Sequence, residues 1–307
     1  MTFSMHVPQS YDLLLSVHAW VYPDIQPVPE STWEDAFGRL FTIGDVCTPI
    51  VVSQSSAGRP LHVDFEDDST SRDAVRRKVR QVLGLDIDTT GALACIAGDP
   101  VIHEIASQVR GIRPYTADTV FEALIKAIVQ QQISYRAASV ITKRIVSKFA
   151  VPSVCCKHLL YPFPDGRMIL SGGSSKLADI GLGFKGRYVH EVCSMVASGT
   201  LELEDLIGRT ADAAREALSG IKGIGDWTLN ALAISSLGDF SVFPYNDVGM
   251  RNLLGRLYKR RERVSEAEVR EMAGQWGTEG PLVLYLLMCA DVLGTISSAR
   301  RSKTHKR

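Results

Sequence analysis

Three features of this chain have the residue types and spacing to do chemistry: the glycine pair Gly223 and Gly225, the tryptophan Trp227, and the isolated carboxylate Asp247. Lys222-Gly223-Ile224-Gly225 separates two runs of helical periodicity. Ala213, Ala214, Ala217, Leu218 and Ile221 precede it, and Trp227, Leu229, Leu232 and Ala233 follow. Two glycines one residue apart stop the first helix, because they permit backbone angles that other residues avoid. The free amides of such a turn and the start of the second helix together favour an anion. No GxxxxGK[ST] run is present, which argues against a nucleotide P-loop. A helical hairpin with a glycine C-cap is the bland alternative for the same pattern. Asp247 closes the loop Phe243-Pro244-Tyr245-Asn246-Asp247, just before an apolar helix expected over 248–257. There it can cap that helix or serve as a reactive carboxylate.

Taken together, Ile221-Lys222-Gly223-Ile224-Gly225, Phe243-Pro244 and the spaced Asp247 resemble the helix-hairpin-helix, Gly/Pro-Asp (HhH-GPD) signature of base-excision DNA glycosylases. The rest looks like the 3-methyladenine DNA glycosylase II (AlkA-like) branch, strongly from about residue 115 to 294 and weakly before it. The resemblance implies double-stranded DNA with a damaged base as partner. By position, the amides of Gly223, Ile224 and Gly225, with Thr228 as a further donor, would hold the phosphates. Gln132, in Gln130-Gln131-Gln132-Ile133-Ser134, would be the plug that fills the gap left by the flipped base, where relatives often place a bulky apolar side chain. Main-chain carbonyls of Ser219, Ile221 and Ile224 would hold a monovalent cation, Na or K. No other cofactor is implied. Some relatives carry a four-cysteine iron–sulfur cluster after the catalytic helix; only Cys289 lies there, so none is expected.

The reaction so implied builds positive charge on a sugar as an N-glycosidic bond breaks. Asp247 would stabilise that charge and orient or deprotonate the attacking water. A ring-alkylated purine leaves readily as a neutral base, so one carboxylate without a partnering acid points to alkylated bases. Relatives that also nick the strand carry a lysine two residues past the second glycine, for Schiff-base chemistry. Trp227 stands there instead, and Lys222 lies inside the turn. A monofunctional hydrolase is therefore expected, with Trp227 stacking on a cationic base. An oxidised-base glycosylase/lyase and a noncatalytic DNA-backbone-binding module are the alternatives. Positions where relatives add pocket aromatics are Ala231 and Met288 here, so the pocket is wider or lined from elsewhere. Phe121, Tyr245, Tyr285 and Met288 are its candidate walls.

The elements that must position these residues read as mostly α with an N-terminal α+β domain. Expected divisions are 1–112, a small antiparallel sheet with helices; 113–298, two helical subdomains flanking a cleft; and 299–307, a basic tail. Leu13, Leu15 and Val17 alternate like a strand, as do Leu61, Val63 and Phe65. Residues 32–43 suit helix or strand on their own pattern, and the family comparison favours strand. The acidic run 64–68 reads as a solvated turn, and residues 71–83 as a helix with a basic outer face. Helices follow over 118–131 and from a Ser134 cap, with loop over 156–173, a short helix over 174–180 and glycine-rich turns over 181–186. Ser265 with Glu268 makes a capping box, and 281–293 is apolar nearly all round, a central helix.

Length and composition fit this frame. At 307 residues, 45% hydrophobic and 22% charged, the chain can bury substantial cores. Thirty-four basic residues balance 34 acidic ones, so DNA contact must use local patches and amides rather than a global field. Six scattered cysteines suit reduced thiols. Neither a signal peptide nor a membrane span is read, so a cytoplasmic, nucleoid-associated monomer is expected.

Overall fold

Strand alternation builds the first layer of the computed structural model, which describes all residues except 45, 67–69, 156, 174–176, 178, 260–262 and 297–307. Strands β1 (Thr2–Met5), β2 (Ser31–Thr32), β3 (Ala36–Ile43), β4 (Val46–Ser53) and β5 (Leu61–Phe65) form one antiparallel sheet in the order β1-β5-β4-β3-β2. Phe37, Phe41, Ile50, Val52, Leu61 and Val63 bury one face against Val75, Val79 and Val82 of helix α2 (Arg72–Val82). Each large side chain buried this way contributes about 1.5–3 kcal/mol. Arg39 shares the strand face of Phe37 and Phe41 and is fully buried.

The strand expected at Leu13, Leu15 and Val17 is instead helix α1 (Leu13–His18). Three alternating positions also contain an i,i+4 pair, and Leu13 and Val17 are both buried. Asp12 decides the matter: its side chain caps the helix by accepting the Leu15 amide at 2.9 Å. Asp64, expected in a turn, lies in β5. Within the expected loop 156–173, His158–Leu160 forms strand β7, which pairs with β6 (Ser153–Cys155), and Gly166–Ser171 forms helix α7. The basic tail and the residues at 260–262 lie outside the described residues, as does most of the short helix expected over 174–180.

The basic face of α2 is largely spent on ion pairs. Arg76 pairs with Asp73, Lys78 with Asp118 and Arg80 with Asp86.

Two helical cores follow. Helices α5 (Val120–Gln130), α6 (Tyr135–Phe149), α8 (Lys185–Ala197), α9 (Ala211–Leu218) and α10 (Asp226–Leu232) enclose one of them. Helices α11 (Val248–Leu254), α12 (Glu266–Gly274) and α13 (Gly280–Val292) enclose the other. Residues 90–112 do not share the sheet's core. Ala92 and Ile96 of helix α3 (Thr90–Gly98), and Val109 of α4 (Ala106–Val109), pack with Leu253, Leu254, Val283 and Leu287. Leaving the sheet, the chain thus closes the C-terminal core before it builds the middle one.

Ser134 caps α6, and the Ser265–Glu268 box caps α12. Helix α13 is buried along nearly its whole length, as its composition requires.

Candidate active site

The glycine turn joins α9 to α10. Gly223 has φ +90°, and a Cβ there would lie 2.4 Å from the Tyr188 ring, so only glycine fits. Gly225 differs from the sequence expectation. Its backbone is extended, at φ −106° and ψ −177°, open to any residue. A Cβ there meets nothing within 4 Å. The first glycine shapes the turn, and the second leaves open space before the exposed amides of α10. The side chains of Ile221 and Ile224 are buried beneath the turn, while Lys222 is exposed. Among the three carbonyls expected at a cation, that of Ile221 accepts the Ile224 amide at 3.1 Å, whereas no hydrogen bond to those of Ser219 and Ile224 is seen among the described residues.

Thr228 is buried, and its hydroxyl accepts the Gln131 side-chain amide at 2.9 Å. The same Gln131 nitrogen donates to the Gly223 carbonyl at 2.8 Å. The three glutamines divide their work. Gln130 lines a cavity, Gln131 holds the hairpin, and Gln132 is exposed at φ +60°, a left-handed conformation rare for a side-chain-bearing residue.

Asp247 is the N-cap of α11. Its Oδ1 accepts the Met250 amide at 2.9 Å, and its Oδ2 accepts Trp227 Nε1–H at 3.1 Å. The cap fixes the carboxylate, and the same side chain lines a cavity. That cavity, about 120 Å³, is lined by Trp227, Asp247, Ala231, Tyr285 and Met288 among others.

Two expected walls are absent from it. Phe121 is buried against Phe163, with ring centroids 6.2 Å apart, and Tyr245 packs beside Phe243 under the Arg270 guanidinium. Trp20 and Tyr135 supply the aromatic surface instead. Trp20 follows α1, and Tyr135 opens α6. Their rings meet edge to face, with centroids 5.2 Å apart, and Trp20 also packs 5.2 Å from Tyr285. The Tyr285 hydroxyl accepts the Trp20 indole N–H and the Tyr115 amide. Neither aromatic carries a sequence signal, since both belong to segments whose local pattern says nothing of a shared wall.

Charge enters the cavity from a quartet of three buried residues, Glu30, Arg39 and Glu122, and the partly buried Lys126. Glu122 binds Arg39 and Lys126, each at 2.6 Å, and Lys126 also binds Glu30 at 2.7 Å. Burial opposes the charged form of Glu122, but Arg39 and Lys126 outweigh it and hold the carboxyl down to about 2. Burial likewise opposes the Lys126 ammonium, yet Glu122 and Glu30 keep its pKa above the ordinary lysine value. A lysine thus lines the cavity, but as a locked cation rather than a free amine.

The sheet-plus-helices architecture, a glycine hairpin and a capped carboxylate over an aromatic cavity define a known class. The sequence matches the family model of the HhH-GPD superfamily base excision DNA repair protein over residues 125–278. The chain belongs to that superfamily. Among its relatives is a DNA-3-methyladenine glycosylase of Bacillus subtilis (strain 168), 26% identical over 78% of this chain and 80% of that one. Among solved structures, the 3-methyladenine DNA-glycosylase from Archaeoglobus fulgidus superposes with a TM-score of 0.83 at 27% identity, covering 94% of this chain and 98% of that one. An 8-oxoguanine glycosylase/lyase of Clostridium acetobutylicum shares the fold, with a TM-score of 0.71 at 16% identity over 95% of this chain and 97% of that one.

Proposed function

We propose that the protein is a monofunctional DNA glycosylase that hydrolyses the N-glycosidic bond of alkylated purines of the 3-methyladenine type, and of some deaminated ones, in duplex DNA. The observation that carries this reading is the Trp227–Asp247 pair: a carboxylate held by an indole N–H at 3.1 Å in the wall of an aromatic cavity.

A base within a duplex must leave the stack to be reached. Gln132, exposed at the tip between α5 and α6, would take its place, and the amides around Gly223, Ile224 and Gly225 would hold the neighbouring phosphates. A monovalent cation on the carbonyls of Ser219, Ile221 and Ile224 would add positive charge there. Once in the cavity, a cationic alkylated base gains about 0.5–2 kcal/mol from an indole face. As its bond to the sugar lengthens, Asp247 stabilises the developing positive charge and orients the attacking water. An alkylated cationic base takes the bonding electrons and leaves neutral, whereas a deaminated one leaves as an anion and takes up a proton; the water adds to the sugar and gives its proton to Asp247. The working form in this reading is a monomer acting on DNA in the cytoplasm.

The lyase alternative is disfavoured by Trp227 at the Schiff-base position and by the charge-locked Lys126. The test uses duplexes with single lesions, with and without alkali. Wild type should release 3-methyladenine and leave nicks only after alkali treatment. Asp247→Asn, which keeps a capping side chain, should bind DNA while releasing base about 10²–10⁴-fold more slowly. Nicking without alkali would restore the lyase. Undiminished release by the variant would remove Asp247 from the chemistry.

A further inference from the structure

The cavity beside Asp247 has a polar back wall. Glu30, Lys126 and Gln130, with Trp20 and Tyr135, line it, and the same five residues line a second cavity of about 40 Å³ that neither Trp227 nor Asp247 reaches. The pocket therefore runs from Asp247 at one end to this wall at the other. A purine flipped in with its sugar bond at Asp247 would point its six-membered ring at the wall.

Glu30 precedes β2, and its side chain is 4% exposed. Its Oε1 takes every hydrogen bond the side chain accepts among the described residues: Lys126 at 2.7 Å, the Tyr115 hydroxyl at 3.4 Å and Arg39 at 3.5 Å. Its Oε2 takes none, yet it is not among the sealed polar atoms that lack a partner. One oxygen is thus bound to the quartet and the other is left to the cavity. Water can meet that oxygen while the cavity is open, but a base that fills the cavity must offer it a donor or leave the acceptor unpaired. Beside it, Lys126 spends two of its three N–H donors on Glu30 and Glu122. The Gln130 amide, partly buried, takes no side-chain bond among the described residues.

We infer that Glu30 is a specificity-determining residue whose free Oε2 accepts an N–H from the six-membered-ring edge of the flipped purine, with Lys126 or Gln130 donating to the acceptor beside it. This rests on the glycosylase reading above. The substrate class it selects is purines with a donor next to an acceptor on that edge: the amino group beside N1 of 3-methyladenine, or N1–H beside O6 of hypoxanthine. Purines whose edge is closed by alkylation, such as 1,N6-ethenoadenine or 1-methylhypoxanthine, leave the carboxylate unpaired and are rejected.

The experiment compares single-turnover release of hypoxanthine, 1-methylhypoxanthine and 1,N6-ethenoadenine from duplexes, by wild type and Glu30→Gln, with 3-methyladenine release as the reference activity. Wild type should release hypoxanthine more than about tenfold faster than 1-methylhypoxanthine, since a site built for an N–H rejects the analogue lacking it. Equal rates would overturn the proposal with no variant involved. In Glu30→Gln, a neutral bond replaces a charge-assisted one, and the hypoxanthine rate should fall about tenfold further than the ethenoadenine rate. A parallel fall of both, in a variant of unchanged melting temperature, would reduce Glu30 to a scaffold role and overturn the inference. If wild type releases 3-methyladenine but discriminates among no edges, this inference alone fails. Release of no base at all would remove the parent reading.

Discussion

The Gln131 side-chain nitrogen lies 2.8 Å from the Gly223 carbonyl, bonding the loop between α5 and α6 to the glycine hairpin. The segment proposed to carry the plug and the one proposed to hold the phosphates are therefore joined directly by this side chain. Gln131→Ala should leave the fold intact but loosen that register. We expect a rise of about tenfold in the Kd for lesion-containing duplex, read by fluorescence anisotropy, as the partly buried Gly223 carbonyl and the Thr228 hydroxyl lose their donor. Gln132→Ala, by contrast, should lower base release with little change in melting temperature, since its side chain is exposed.

The indole of Trp227 has two separable jobs. Trp227→Phe keeps an aromatic face and deletes the N–H bonded to Asp247. Base release should slow about three- to tenfold in single turnover, with substrate affinity nearly unchanged. Trp227→Leu removes the face as well, so affinity for a cationic lesion should also weaken. If both variants lose affinity equally and neither loses rate, the bond to Asp247 is unimportant for the chemistry.

The two hairpin glycines should respond differently. Gly223→Ala puts a methyl group against the Tyr188 ring at positive φ, at a cost of about 1–3 kcal/mol in chemical denaturation. Gly225→Ala meets nothing inside the protein. Its melting temperature should hold while DNA affinity falls, because the methyl group occupies the space a phosphate would use.

Acid should withdraw the stability that the buried Glu122 ion pairs supply. The Glu122 carboxyl is held from 4.5 down to about 2. A depressed folded-state value stabilises the protein above the unfolded value, and the benefit is lost as pH falls from about 4.5 toward 2. Wild-type stability in urea should therefore drop steeply over that range. Glu122→Gln should start lower, by about 3–5 kcal/mol for a broken buried pair, and fall less steeply. Identical slopes would show that Glu122 carries no such linkage.

The part of the site that could be read from the sequence is the part whose residues are close together in it. Gly223, Trp227 and Asp247 lie in one hairpin-and-cap unit, where turn chemistry and capping rules act locally. Trp20, Glu30, Lys126 and Tyr135 converge from four segments, and no spacing rule connects a tryptophan after α1 to a tyrosine opening α6. Phe121 and Tyr245 have the right residue type but turn toward Phe163 and Phe243, a matter of packing and not of pattern. The fold divides the same way. The long periodic helices α5, α6 and α13 and the strand β5 were plain, whereas three alternating residues at Leu13 could not be told from a helix turn without weighing the Asp12 cap.

Trp20 and Glu30 lie upstream of the stretch, 125–278, that carries the superfamily pattern, and Tyr285 and Met288 lie downstream of it. The hairpin and Asp247 thus fall inside the matched stretch, whereas these four wall residues of the cavity come from the sequence on either side of it. The cavity's shape can therefore be altered by substitutions far in sequence from the hairpin and from Asp247, leaving the Trp227–Asp247 bond in place.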